Sequence, residues 1–225
     1  MSQTILQKSQ DIVNRLPETE RIIALVLMFV PAVLSLVDTG GFGELRPSIS
    51  NYAYMCHSYW FGSLLALAGA LFIFNGAQHI NANRYKQSHG FSDEQMQNMR
   101  NNYEHPERFG RGYNIWFGLA LFGVIYFDHL SFLVMHYIMA VIFFGGCIIM
   151  MVWKPRPEIK RWGQVLGILG AIALVVHFVL EYWLLKDNNP YTLLWAEWIG
   201  MVCIAIYFIK DSLCYAPILK TTVVN

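Results

Sequence analysis

LSFLVMHYIMAVIFFGGCIIMMV, residues 130–152, carries no Asp, Glu, Lys or Arg and no proline. A helix rises about 1.5 Å per residue, so a run of this length crosses the roughly 30 Å hydrocarbon core of a bilayer. A spanning strand would read as alternating segments of about ten residues, whereas this run is apolar at consecutive positions. It predicts a membrane-spanning helix. Working outward, residues 22–37, 57–77, 113–127, 163–185 and 192–209 form five more apolar stretches. The first and third of the six lie at or below the about 17 residues a span needs. Bulk composition agrees, with 56% hydrophobic residues, 14% charged and mean hydropathy +0.39, where soluble domains carry about 25% charged residues. The expected fold is all-α, a polytopic bundle of six transmembrane helices.

Charge orients that bundle. Threaded in and out, the six spans put Lys8, Arg15, Arg21, Arg84, Lys86, Arg100, Arg108, Arg111, Lys154, Arg156, Lys160, Arg161, Lys210 and Lys220 on one side. Only Arg46 and Lys186 fall on the other. Basic loops stay cytoplasmic, so both termini are expected inside and the chain reads as an integral, multi-pass membrane protein. Residues 1–20 read as a cytoplasmic amphipathic helix that ends at Leu16-Pro17, because the residue before proline avoids the helical region. Residues 21–211 form the transmembrane domain, with an outer loop at 38–56 and a cytoplasmic loop at 78–112. Residues 212–225 are a cytoplasmic tail. Within the cytoplasmic loop, Ser92 and Gln95 have capping-box spacing, which predicts a short helix to about Arg100.

A net charge of +1, dispersed over the inner loops, excludes a nucleic-acid partner as the reading. No cleavable signal peptide is expected, since the residues before Arg21 are polar and of mixed charge. The four cysteines have no CxxC spacing, and Cys147 and Cys203 sit mid-span as small hydrophobes. Gly163 and Gly167 form a GxxxG face continued by Ala171, and Gly62, Ala66 and Ala70 form a second small-residue face. Such faces let helix backbones approach closely, here within one bundle.

Ionisable groups inside a bilayer are costly and point to function. On this topology they gather at one depth, near the outer face: His57, Asp128, His129, His136, His177, Glu181 and Glu197. The remaining histidines, His79, His89 and His105, fall in the cytoplasmic loop, which leaves the inner half of the bundle without ionisable groups. His177 and Glu181, spaced i, i+4, share a helix face. With His136 they could supply nitrogen and oxygen ligands to zinc. The plain alternative is a hydrogen-bonded pair locking one helix to its neighbour. Asp128 equally suits a water-facing turn, and Glu197 an aromatic belt with Trp195 and Trp198. The glycine- and aromatic-rich outer loop is expected to fold back over the bundle mouth. Its Ser48 and Ser50 lack a GxSxG context, so they read as caps or lid-holding residues rather than nucleophiles.

Pro47-Ser-Ile-Ser-Asn-Tyr52 carries a resemblance. A Pro-x-Ile-Ser stretch in the first outer loop of a six-helix protein resembles the family of the GPI-anchor lipid-remodelling factor and the DRAM autophagy modulators, with their prokaryotic relatives. Met135-His136-Tyr137 followed by Ala140 and Phe143-Phe144, then Glu197 and Lys210 on the sixth helix, match further features of that group. Asn51 stands where the group often has an acidic residue. The resemblance covers about residues 22–211 and implies a lipid-associated role at the extracytoplasmic face.

The leading expectation is a protein that binds a lipid-like or amphipathic ligand in an outer-leaflet polar cavity lined by Ser50, Tyr52, His57, Asp128, His136, His177, Glu181 and Glu197. Metal-dependent lipid hydrolysis or remodelling is its extension, with zinc on His136, His177 and Glu181 lowering the pKa of a bound water to about 7. The alternative is a non-enzymatic assembly subunit whose loop 78–112 contacts a protein partner.

Overall fold

Each apolar stretch becomes one helix. The computed structural model describes residues 2–38, 45–88, 112–153, 157–185 and 189–214. Among them stand α1 (Ser2–Asp38), α2 (Tyr59–Ser88), α3 (Asn114–Tyr126), α4 (Leu133–Trp153), α5 (Lys160–Val179) and α6 (Leu193–Ser212), and no strand. A 3-10 turn, Ile49–Tyr54, lies between α1 and α2, and a π turn, Leu180–Leu184, extends α5. Five segments are long and apolar enough to cross a membrane: Pro17–Asp38, Tyr59–Ile80, Leu133–Trp153, Lys160–Leu184 and Leu193–Ser212. α3 has 13 residues and at about 1.5 Å per residue reaches roughly 20 Å, short of the hydrocarbon thickness.

Each helix packs on the next in sequence, and α6 returns to pack on α1, closing a ring. The hub is Phe72 of α2. Its ring meets Phe117 of α3, Phe143 of α4 and Phe208 of α6 edge-to-face, with centroids 6.3, 5.7 and 5.4 Å away, the arrangement that ring quadrupoles favour. The outer surface is apolar too: Phe29, Leu67, Phe74, Trp116, Ile168 and Val175 are exposed. A helix hydrophobic all round is what a lipid-embedded span requires.

Backbone contact sets the α2–α3 spacing. A Cβ on Gly118 would land on the carbonyl oxygen of Gly69 and on Ile73. The tight seam of α2 thus runs through Gly69 and Gly76, beside the Gly62–Ala66–Ala70 face rather than along it; Ala70 is exposed. Gly167, by contrast, packs as its GxxxG context suggests, with Val152 and Ile148 of α4 against it.

Two prolines fail to break α1, which runs through both Pro17 and Pro31. The expected stop at Leu16-Pro17 is overridden. Proline removes one amide donor and leaves carbonyls one turn earlier in need of partners. One turn before Pro31, the Met28 carbonyl accepts from the Trp198 indole of α6 at 3.2 Å. Neighbouring side chains of this kind let proline sit inside a spanning helix. α2 likewise outlasts its apolar run, continuing to Ser88 because no Gly or Pro interrupts residues 77–88. Most of the expected loop, including the Ser92–Gln95 capping box, lies outside the described residues.

Candidate functional site

Residues 45–58 fold back over one end of the ring as a lid. Local chemistry forms it: Ser48, in extended conformation, caps the 3-10 turn by accepting from the Asn51 amide at 3.3 Å. Arg46 clamps its start with paired bonds to Asp38, 2.6 and 2.9 Å long, and reaches the Asn51 carbonyl at 3.3 Å. Donation to Asp38 raises the Arg46 pKa above its ordinary value. Ile49, Ser50, Tyr52 and Met55 of the lid are buried.

Hydrogen bonds to α6, α4 and the α3–α4 turn hold the lid on the bundle. On α6, the Ile49 amide donates to Glu197 Oε2 at 2.7 Å, and the Leu194 amide donates to the Pro47 carbonyl at 2.8 Å. On α4, Ser50 Oγ lies 2.8 Å from His136 Nε2. The other ring nitrogen, Nδ1, lies 2.7 Å from the Phe127 carbonyl. A carbonyl only accepts, so Nδ1 carries the hydrogen and donates, and Nε2 accepts the Ser50 hydroxyl proton. At the α3–α4 turn, the Tyr54 hydroxyl donates to Asp128 Oδ1 at 2.9 Å.

Asp128 also accepts from the Ser131 and Leu130 amides at 2.9 and 3.0 Å. These bonds, the Ser131 amide first and the Tyr54 hydroxyl next, hold its carboxyl down at about 2, below the ordinary 3.8. Burial, with His136 nearby, lowers His129 below its usual 6.5. Because the folded Asp128 pKa is depressed, its contribution is complete above 3.8 and is lost as pH falls through about 2. The Tyr54–Asp128 latch is therefore expected to persist through mildly acidic pH and open only below 3.8, which an acid titration of Tyr54 accessibility would read. Opening at neutral pH would refute this.

The second predicted cluster closes on itself. His177 Nδ1 donates to the Tyr191 carbonyl at 2.9 Å, and Asn189 Nδ2 donates to Glu181 Oε2 at 3.1 Å. Both side chains thereby tie residues 189–191 to the end of α5, and the π turn carries Glu181 off the regular helical register of His177. Among the described residues, no three His, Cys, Asp or Glu side chains are grouped so as to hold a metal ion. Of the eight candidate pocket residues, Ser50, His136 and Glu197 meet under the lid and Asp128 latches its rim. Tyr52 is fully buried, its ring 5.9 Å from the Arg46 guanidinium. His57 is exposed, beside Tyr59 rather than Ser50.

Sequence reasoning missed a polar layer at the opposite end. His79, expected in a loop, is buried on α2 with Nε2 3.7 Å from Glu20 Oε1. Asp211 of α6 is buried at the same end, where Arg21 Nε donates to Ser212 Oγ at 3.2 Å. Deeper, Asn114 Nδ2 donates to Asn75 Oδ1 at 2.6 Å. The end of the bundle opposite the lid is thus not free of ionisable groups. The usable signal was the absence of a helix breaker after Ala77, which keeps His79 on α2 and buried.

Two spaces adjoin the lid end. A small cavity of about 20 Å³, close to the volume of one water, is lined by Ser50 and Glu197 with apolar walls including Leu65, Leu121 and Phe143. On the outer surface, a groove of about 600 Å³ runs between α3 and α4 from Trp116 to Phe127, over Gly123, Met139 and Ile142.

Residues 29–212 match the family of unknown function DUF7103. The chain belongs to DUF7103. The matched span begins within α1 and ends at the last residue of α6, so the DUF7103 unit contains the whole lid and all its attachments. No curated protein and no solved structure matches the chain.

Proposed function

We propose that this DUF7103 chain is a six-span membrane protein, termini cytoplasmic and lid extracytoplasmic, that binds a lipid-like ligand along the α3–α4 groove. The supporting observation is the groove itself: apolar, about 600 Å³, and open on the outside of the ring. Its flanks, Trp116 and Tyr126, are 67% and 76% exposed, as lipid-facing aromatics near an interface would be. From Trp116 to Phe127 the groove runs roughly 16 Å at helical rise, enough for much of an acyl chain in one leaflet. Its upper end is Phe127, whose carbonyl holds His136. A ligand lying there has its chain in the groove and its polar head at the lid, near Asp128, His129 and Tyr54. The one-sided distribution of Lys and Arg supports the orientation, and the resemblance to the lipid-remodelling group supports the ligand class.

Photocrosslinking tests this reading. With a diazirine-bearing phosphatidylcholine in nanodiscs, adducts are expected at Gly123, Met139 and Ile142 in excess over the more exposed face around Val175. Ile142→Trp, which fills the groove from its exposed side, is expected to cut that excess roughly tenfold, equivalent to ~1.4 kcal/mol of affinity. Uniform labelling of both faces would refute a bound lipid.

A further inference from the structure

We infer that Ser50 and His136 form a nucleophile–base pair for acyl transfer from a lipid ester, an inference that rests on the lipid-binding reading for its substrate class. Three observations carry it. Ser50 Oγ and His136 Nε2 are 2.8 Å apart, and the tautomer is fixed by the 2.7 Å bond from Nδ1 to the Phe127 carbonyl. An activated serine needs a base in hydrogen-bond reach and a third group that orients the base, and all three are present. Both side chains are shielded from water, with Ser50 8% and His136 4% exposed. Thirdly, Phe127 belongs both to the dyad, through its carbonyl, and to the apolar groove, through its side of α3. The chain of a bound ester therefore ends beside the base.

The step balances with no further reagent than an acceptor alcohol or water. Ser50 Oγ attacks the ester carbonyl carbon as its proton passes to His136 Nε2. The tetrahedral adduct expels the alcohol, which leaves with the proton from Nε2, and Ser50 holds the acyl group. Water or an acceptor hydroxyl then attacks the acyl-serine, giving its proton to Nε2 and from there back to Ser50 Oγ. The products are the acid, or a new ester, and the free dyad. The substrate enters by displacement of the lid or of the α3–α4 turn, which lies between groove and Ser50. The absence of a GxSxG elbow is no obstacle, because the 3-10 turn presents Ser50 instead.

The full chain in phosphatidylcholine nanodiscs, treated with a long-chain alkyl fluorophosphonate and mapped by peptide mass spectrometry, decides the matter. The expected result is one phosphonyl adduct, on Ser50. Ser50→Ala removes it, and His136→Asn slows its formation by about 100-fold or more, the usual worth of a general base. Ser58→Ala, an exposed serine outside the lid attachments, labels like the wild type. The wild-type adduct position decides even where a variant fails to fold, and retained diazirine crosslinking shows which variants do fold. No adduct on Ser50, or a rate unchanged in His136→Asn, overturns the dyad. Groove crosslinking without a Ser50 adduct removes the dyad and leaves the binding reading standing. A Ser50 adduct without groove crosslinking upholds the nucleophile and overturns the lipid ester as its substrate.

Discussion

Gly118→Ala is expected to destabilise the bundle by about 1–3 kcal/mol, the range for overpacking a tight contact. The added methyl would fall on the Gly69 carbonyl oxygen and within 2.6 Å of Ile73 Cγ1 and 3.0 Å of the Ile73 amide nitrogen. Two of those atoms are backbone and cannot rotate away, so α2 and α3 must separate along the seam. That separation also loosens Phe72 from Phe117, the aromatic contact joining the same two helices. Gly145→Ala is the matched control. Its methyl meets only Val141 Cγ1 at 3.8 Å, so it should be neutral or gain up to about 1 kcal/mol from helix propensity. Thermal unfolding in detergent compares the two. Equal stability of both variants would show that the glycine seam does not set the helix spacing.

Glu197→Leu is expected to cost about 1–3 kcal/mol and to release the lid. The loss leaves the buried Ile49 amide without its 2.7 Å acceptor, and an unpaired buried donor bears its full desolvation penalty. Leucine refills the volume, so a cavity does not confuse the result. Glu197→Gln retains an acceptor oxygen and should recover most of the loss. A cysteine at position 52 would then react with a water-soluble maleimide in Glu197→Leu but stay protected in Glu197→Gln. Protection in both would mean that the Leu194–Pro47 and Ser50–His136 bonds suffice to seat the lid.

Pro17 and His79 show where one-dimensional reading fails. The helix stop at Leu16-Pro17 was sound local chemistry, yet α1 runs on, and near its second proline, Pro31, the Trp198 indole of α6 reaches the Met28 carbonyl, a partner that no single segment reveals. His79 looked like a loop residue because hydropathy falls after Ala77, yet α2 keeps turning and carries it against Glu20 of α1. The spacing of His177 and Glu181 suggested one shared helix face, but the π turn Leu180–Leu184 takes Glu181 off that register, and their partners are Tyr191 and Asn189 of the next connection. Ser50 and His136 each stood out in the sequence, but 86 positions separate them.

Among the described residues, the sequence by itself determined six apolar helices, their order and the apolar character of their outer faces. Those properties depend on the run length and hydropathy of contiguous residues, and on the cost of leaving backbone groups unpaired in lipid. Tertiary structure alone decided which polar side chains meet. The closed ring of helices brings the first connection, α4 and α6 to one end, and there Ile49 finds Glu197 and Ser50 finds His136. Direction around a helix and the reach of one hydrogen bond set those partnerships, and neither is written in residue spacing across separate helices.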